Sequence, residues 1–307
     1  MAASFFSKKR NVVFTAIFYT FLWGCAFPLV KICMESFEIS DTDNFSKCLV
    51  AGIRFTVSGL IALTWCAFKD EKRLYIEKKA IKSVLLYGIL STSLQYAFTY
   101  IALSRIDSSK GAVFDQLCVF LIVLAGGFFF KEDRLTVKKV LGCVIGFIGV
   151  LLINTDGVSL TFDIGGEGVM LLAVLSQTIA YFVAKGTSAE ISAPKLVGYG
   201  QVSGGIILCA FSLIMGGRIR TVNSTAVLTV IALILISSLA YMLSLAPLKY
   251  FPASEISSFN LLITVFGVIM SALVLGEDVL KWNYFASLLL LSLGIILINL
   301  RKKERKK

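Results

Sequence analysis

The chain has 307 residues, of which 57% are hydrophobic and 16% charged, with a mean hydropathy of +0.85. That is far more apolar surface than a soluble domain of this length could hide, so the bilayer is the expected solvent. The net charge of +11 is then read as membrane topology and attraction to an anionic leaflet, and nucleic-acid binding is excluded as a function.

Stretches of about 20 residues with few charges fall at 12–34, 48–68, 83–104, 109–130, 135–154, 166–186, 196–216, 225–246, 253–275 and 281–300. These are too long and too uniformly apolar for outer-membrane strands, which alternate in character over tracts of about ten residues. An all-α membrane protein of ten transmembrane helices is predicted. The first run follows a short basic segment, as a secretory signal would. It is long and lacks a small-residue cleavage site before Lys31, and so reads as a retained helix.

Counting Lys and Arg with the N-terminus inside places 22 on the inner side against 7 on the outer, Arg54 being within a span. Both termini are therefore expected in the cytoplasm of a multi-pass protein of the cell inner (plasma) membrane. The wet segments, 35–47, 69–82 and 156–167, are too short to be soluble domains. The seven cysteines show no C-x-x-C spacing, so neither a metal site nor a disulfide framework is indicated. Cys33 and Cys48 flank the first outer loop and could pair, although two small buried residues is the preferred reading.

The second half repeats the first. Glu132, Asp133 and Leu135 recur at an offset of 145 as Glu277, Asp278 and Leu280, and Gly149 and Asn154 recur as Gly294 and Asn299. The same register pairs Ser109 with Ser254, Phe114 with Phe259 and Tyr96 with Tyr241. Residues 1–155 and 156–307 are thus expected to be two repeats. Five helices is an odd number, so the second repeat enters the membrane from the opposite side and the pair is inverted, an arrangement that places a substrate cavity near the midplane.

Trp23-Gly24, Phe27-Pro28 and Lys31 in the first helix, Arg54-Phe55 in the second, Glu132-Asp133-Arg134-Leu135 after the fourth and Glu277 after the ninth complete a pattern. It resembles the drug/metabolite transporter superfamily, specifically its ten-helix EamA branch. The resemblance spans essentially the whole chain and implies export or exchange of small metabolites such as amino acids, or of drug-like compounds. Members often carry a proline midway along the fourth and ninth helices. Here the stretches around Val119 and Thr264 have none, so any kink there needs another cause.

Polar residues at membrane depth supply the candidate site. Arg54 and Asp115 both fall roughly 9 Å in from the outer edge at about 1.5 Å of rise per residue, where an isolated charge costs a few kcal/mol. An outer Arg54–Asp115 ion pair is expected, with separate snorkelling as the alternative. The repeat maps these residues onto Gln201 and Asn260, an inner amide pair, and the two pairs are candidate gates. Simple helix–helix contacts are the other reading. Trp23, Phe27, Gln95, Tyr96, Gln177, Tyr181, Tyr199 and Tyr241 are candidate cavity-wall residues, suited to an amphipathic or uncharged solute. Gly24 and Pro28 are expected to interrupt the first helix near the substrate. Lys31 and Lys185 are read as snorkelling residues, and Glu132 and Glu277 as residues that turn the chain.

No phosphate-cradling loop of the form G-x-x-x-x-G-K-S/T occurs, so coupling must come from a gradient or from exchange. Asp115 and Glu255 are the carboxylates placed to carry a proton. An intramembrane enzyme would need a nucleophile with a base, and the chain has no His. The function expected is therefore a secondary transporter, exporter or exchanger of small organic metabolites. Multidrug efflux and nucleotide-derivative exchange are the alternatives, an intramembrane enzyme a remote one, and no cofactor or metal is expected. A channel would predict like residues contributed by an oligomer. Here one chain can close a cavity, so a monomer or a homodimer is consistent with the sequence.

Overall fold

The computed structural model describes residues 5–69, 74–103, 105, 108–153, 163–275 and 282–300. The recurrence at Glu277, Asp278 and Leu280, Asn154, and the basic tail after 300 lie outside the described residues. All the regular structure described is helical, as a bilayer requires of a chain that must satisfy its backbone polar groups internally.

The helices are α1 Lys9–Ser36, α2 Asn44–Lys69, α3 Lys78–Leu103, α4 Ser108–Phe129, α5 Val137–Ile153, α6 Val169–Thr187, α7 Ala193–Ile214, α8 Ser224–Leu245, α9 in two pieces, Ala253–Ser258 and Leu261–Leu275, and α10 Trp282–Asn299. Seven of the described spans are long and apolar enough to cross a membrane, and Phe114–Phe129 and Phe285–Asn299 are shorter apolar stretches. The protein is an all-α membrane protein of ten helices in two inverted repeats of five. Large apolar side chains such as Phe14, Phe68, Phe128, Leu228 and Leu273 stand exposed on the outside, which is the surface a lipid solvent covers.

The two halves interdigitate. The most extensive packing joins α2 to α7 and α5 to α10, and α1 lies against α8 and the second piece of α9. One core cluster draws Tyr19, Phe120, Ala240, Leu261, Val265 and Leu291 together. A second joins Ala62, Tyr87, Ala180, Leu196, Leu248 and Ile256. Both take residues from each half. At the crossing of α3 and α7, a Cβ on Gly204 would lie 2.3 Å from the Gly88 carbonyl oxygen. Backbone therefore rests on backbone there, a contact that only glycine permits.

Two irregularities bear on the site, and neither contains proline. Within α3, Ile89–Leu94 winds as a π-helix, the wide turn that often marks functional positions. Its neighbours accommodate it: the Ser176 hydroxyl donates to the Leu90 carbonyl at 2.8 Å, and Ser93 donates to the Gly204 carbonyl at 2.8 Å. The turn sets the direction in which the next residues, Gln95 and Tyr96, leave the helix. In α9 the α-helical pattern lapses at Phe259 and Asn260, where Asn260 and Ile263 donate to carbonyls three residues back.

By contrast α1 runs without interruption through Pro28, contrary to the expected break. Gly24 serves packing instead, since a Cβ on it would sit 2.4 Å from the Phe266 Cβ of α9. All seven cysteines are free thiols, and Cys33 and Cys48 are separately buried.

Candidate functional site

Four helices bring an aromatic cluster together. Trp23 of α1 meets Tyr241 of α8 edge to face, with centroids 5.0 Å apart. Phe55 of α2 lies 4.5 Å from Tyr96 of α3 and 6.2 Å from Tyr241, and Tyr100 stands 6.4 Å from Tyr96. Edge-on and tilted rings at these separations are favourable beyond simple burial. The hydroxyls of Tyr96 and Tyr241 approach to 3.5 Å. These are the residues that the 145-residue register makes equivalent.

Arg54 enters this cluster from α2. Its guanidinium carbon lies 4.3 Å from the Phe55 ring centroid and 5.7 Å from that of Tyr96, within cation–π range. The side chain is 4% exposed, and its Nε has no hydrogen-bond partner. The expected ion pair with Asp115 is not formed: the ion pairs among the described residues include no carboxylate beside Arg54. The rings hold the guanidinium, while Asp115 is only partly covered on α4.

Nor do Gln201 and Asn260 meet. Gln201 accepts from Ser58 at 2.7 Å, on the tight α2–α7 face, and its Nε2 is left without a partner. Asn260 accepts from the Tyr19 hydroxyl at 3.1 Å, at the lapse in α9. The amide pair fails because Gln201 lies on the α7 face committed to α2, whereas Asn260, at the lapse in α9, is held by Tyr19 of α1.

The remaining predicted wall residues scatter. Gln95 is buried at the end of the π-turn. The Gln177 carbonyl oxygen and the Tyr181 hydroxyl are buried without partners. Tyr199 donates to the Leu74 carbonyl at 2.8 Å and so pins the connection before α3. Phe27 is half exposed and packs against Gly267 of α9. The structure therefore gathers Trp23, Tyr96, Tyr241 and Arg54, and leaves Phe27 and Tyr199 elsewhere.

A polar lattice closes the end of the bundle that carries the termini. Asp133, with no exposed surface, accepts from Lys139, from the Ser254 hydroxyl, and from the Ser254 backbone N–H at 2.8 Å. Lys185 donates to the carbonyls of Leu248 and Phe251 at 2.7 and 2.9 Å and pairs with Glu132 at 3.4 Å. Lys9 pairs with Glu255 at 3.3 Å and donates to the Asn299 carbonyl, while Asn299 donates to Ser258. Lys185 is thus a buried tether rather than a snorkelling residue.

These contacts are not visible as a site in the sequence, although Asp133 and Ser254 both belong to the repeat register. Tyr19 gave no such signal. Among the described residues no group of Cys, Asp and Glu is arranged to hold a metal ion.

The two partners of the Lys185 tether should respond unequally. Glu132 is half exposed, so Glu132→Gln is expected to cost less than about 1 kcal/mol. Lys185→Met removes the donor that the Leu248 and Phe251 carbonyls share and should cost about 1–3 kcal/mol. Thermal unfolding of the two variants in detergent micelles measures the difference.

The EamA-like transporter family model matches residues 10–155 and again 164–300. The uncharacterized transporter YvbV of Bacillus subtilis is 25% identical over 97% of this chain and 94% of its own length. A probable amino-acid metabolite efflux pump of Salmonella typhimurium is 23% identical over 92% of this chain and 93% of its own. A crystal structure at 15% identity superimposes with a TM-score of 0.76, covering 94% of this chain and 98% of the other, and shares the fold. Matched twice along nearly its whole length by one family model, the chain belongs to the EamA-like transporter family.

Proposed function

We propose that this membrane transporter is a secondary exporter or exchanger of small organic metabolites, amino acids among them, working by alternating access around a midplane cavity between its repeats. The observation that carries the reading is the meeting of Tyr96 and Tyr241, equivalent residues of the two repeats, hydroxyl to hydroxyl at 3.5 Å beside Trp23 and Phe55. A cavity shared by inverted repeats is bounded by such equivalent positions. The name of the Salmonella relative, an amino-acid metabolite efflux pump, supports the substrate class.

Residues 1–155 and 156–307 are the two bodies that rock. The lattice of Asp133, Lys185 and Glu255 is the closure at the termini-bearing end, and it must part for the solute to leave or enter there. The excess of Lys and Arg on that side supports cytoplasmic termini in the plasma membrane. Trp23, Gln95, Tyr96, Gln177, Tyr181 and Tyr241 are the wall candidates we retain, with Arg54 and Asp115 on the opposite side of the cluster from the lattice.

Counterflow in proteoliposomes tests this. Vesicles holding the purified chain are preloaded with an amino-acid pool and assayed for uptake of each labelled amino acid, with and without a pH gradient. Saturable uptake is expected, reduced at least about tenfold by Tyr96→Ala or Tyr241→Ala. No uptake of any amino acid would sink the substrate class.

A further inference from the structure

The aromatic cluster encloses a positive charge that no described carboxylate balances. Arg54 is 4% exposed, and a buried, unpaired cation is strongly penalised even after relaxation. Stacking on Phe55 and Tyr96 offsets part of that. Rings satisfy only the π face of a guanidinium. On its N–H edge the Nε is buried without a partner.

We propose that Arg54 is the receptor for a carboxylate on the transported solute, so that the cavity selects organic acids and zwitterions over amines and uncharged compounds. This rests on the transporter reading above and names what its site recognises. The guanidinium edge is a planar fork of donors that matches the two oxygens of a carboxylate, and such bidentate pairs are strong where water is excluded. Phe55 and Tyr96 fix the plane of the fork before the solute arrives, which lowers the ordering cost of binding.

One cation suits one negative charge. Lys185, the other buried cation described, is committed to Leu248, Phe251 and Glu132 at the termini-bearing end. A phosphate dianion would therefore find no second basic partner there. The inverted partner position holds neutral Gln201, already bonded to Ser58, so the charge occurs on one side of the pseudo-symmetric site only.

The test uses the full chain in detergent micelles with Trp65→Phe and Trp282→Phe, which leaves Trp23 beside Tyr241 as the reporter. Trp23 emission is titrated with each protein amino acid and with the corresponding amino-acid amide, pairs that differ only in the carboxylate. Saturable binding of at least some amino acids is expected, with the matching amides weaker by at least about tenfold. Arg54→Gln should remove the preference. Arg54→Lys, which keeps the charge without the fork and guards against a folding artefact, should restore part of it.

Equal titration of acid and amide, a preference that survives Arg54→Gln, or silence across the panel would each overturn the proposal. Counterflow separates this result from the transporter reading. Exchange of amines or neutral solutes that ignores carboxylates would leave a transporter and remove this receptor. Carboxylate-selective binding without exchange of any solute would do the reverse.

Discussion

Asp133→Ala should lower the unfolding midpoint more than any other single charge removal in the chain, by about 3–5 kcal/mol in stability. The reason lies in how α9 begins. Its N-cap position is Pro252, which has no side-chain acceptor for the first free N–H groups of the helix. Asp133, at the turn between α4 and α5, supplies that acceptor from another part of the fold and takes the Ser254 N–H at 2.8 Å. A carboxylate at a helix N-terminus also faces the positive end of the backbone dipole. The same group accepts from Lys139 and from the Ser254 hydroxyl. Truncation to Ala thus leaves a largely buried ammonium, an N–H and a hydroxyl without their acceptor. Asp133→Asn keeps the shape but presents an amide N–H₂ to donors, and should fall between, at about 1–3 kcal/mol. Thermal unfolding in micelles beside Glu132→Gln is the measurement. The neighbouring acid is half exposed, so equal midpoints for the Ala and Gln variants would mean that Asp133 does not hold α9.

Why the sequence displays both of these acids as a motif but not their separate roles is a matter of physics. Apolar runs locate helices because the bilayer acts on every residue of a span, and so all ten appeared at nearly their observed positions. The repeat made Tyr96 and Tyr241 equivalent, but that their hydroxyls approach to 3.5 Å is seen only in the folded bundle. Depth from helical rise placed Arg54 and Asp115 at similar levels, but depth says nothing about azimuth. The guanidinium turned to Phe55, its immediate neighbour, and to Tyr96, a choice set by side-chain packing that no spacing rule encodes. Prolines mislead in the same way. Pro28 looked like a break yet lies within continuous α1, whereas the real irregularities, at Ile89–Leu94 and Phe259–Asn260, depend on hydroxyl and amide partners from other helices. Lys185 looked peripheral because its span ends nearby. Two carbonyls in the α8–α9 connection accept from it and make it a tether, and carbonyls are the same in every sequence.

Gly204→Val is expected to abolish accumulation of folded protein. A Cβ at Gly204 would stand 2.3 Å from the Gly88 oxygen, 2.7 Å from the Thr92 Cβ and 2.9 Å from the Gly88 carbonyl carbon. None of these atoms is the end of a flexible side chain, so α3 and α7 must separate as rigid bodies and take the α2–α7 seam with them. Gly204→Ala makes the same clash with less bulk. It should cost about 1–3 kcal/mol, the usual range for overpacking. The effect on binding should exceed that on stability, because the Gly204 carbonyl also accepts from Ser93 in the π-turn, and the turn aims Tyr96 at Tyr241. Gly186→Ala is the control, a helical glycine in α6 with nothing within 4 Å of the added carbon, and it should be neutral or stabilise by up to about 1 kcal/mol. Size-exclusion profiles and unfolding midpoints rank the three. Normal Trp23 titrations in Gly204→Ala, with only the midpoint lowered, would separate the crossing from the site; weakened binding at a temperature where the variant is fully folded would show that the glycine contact sets the position of Tyr96.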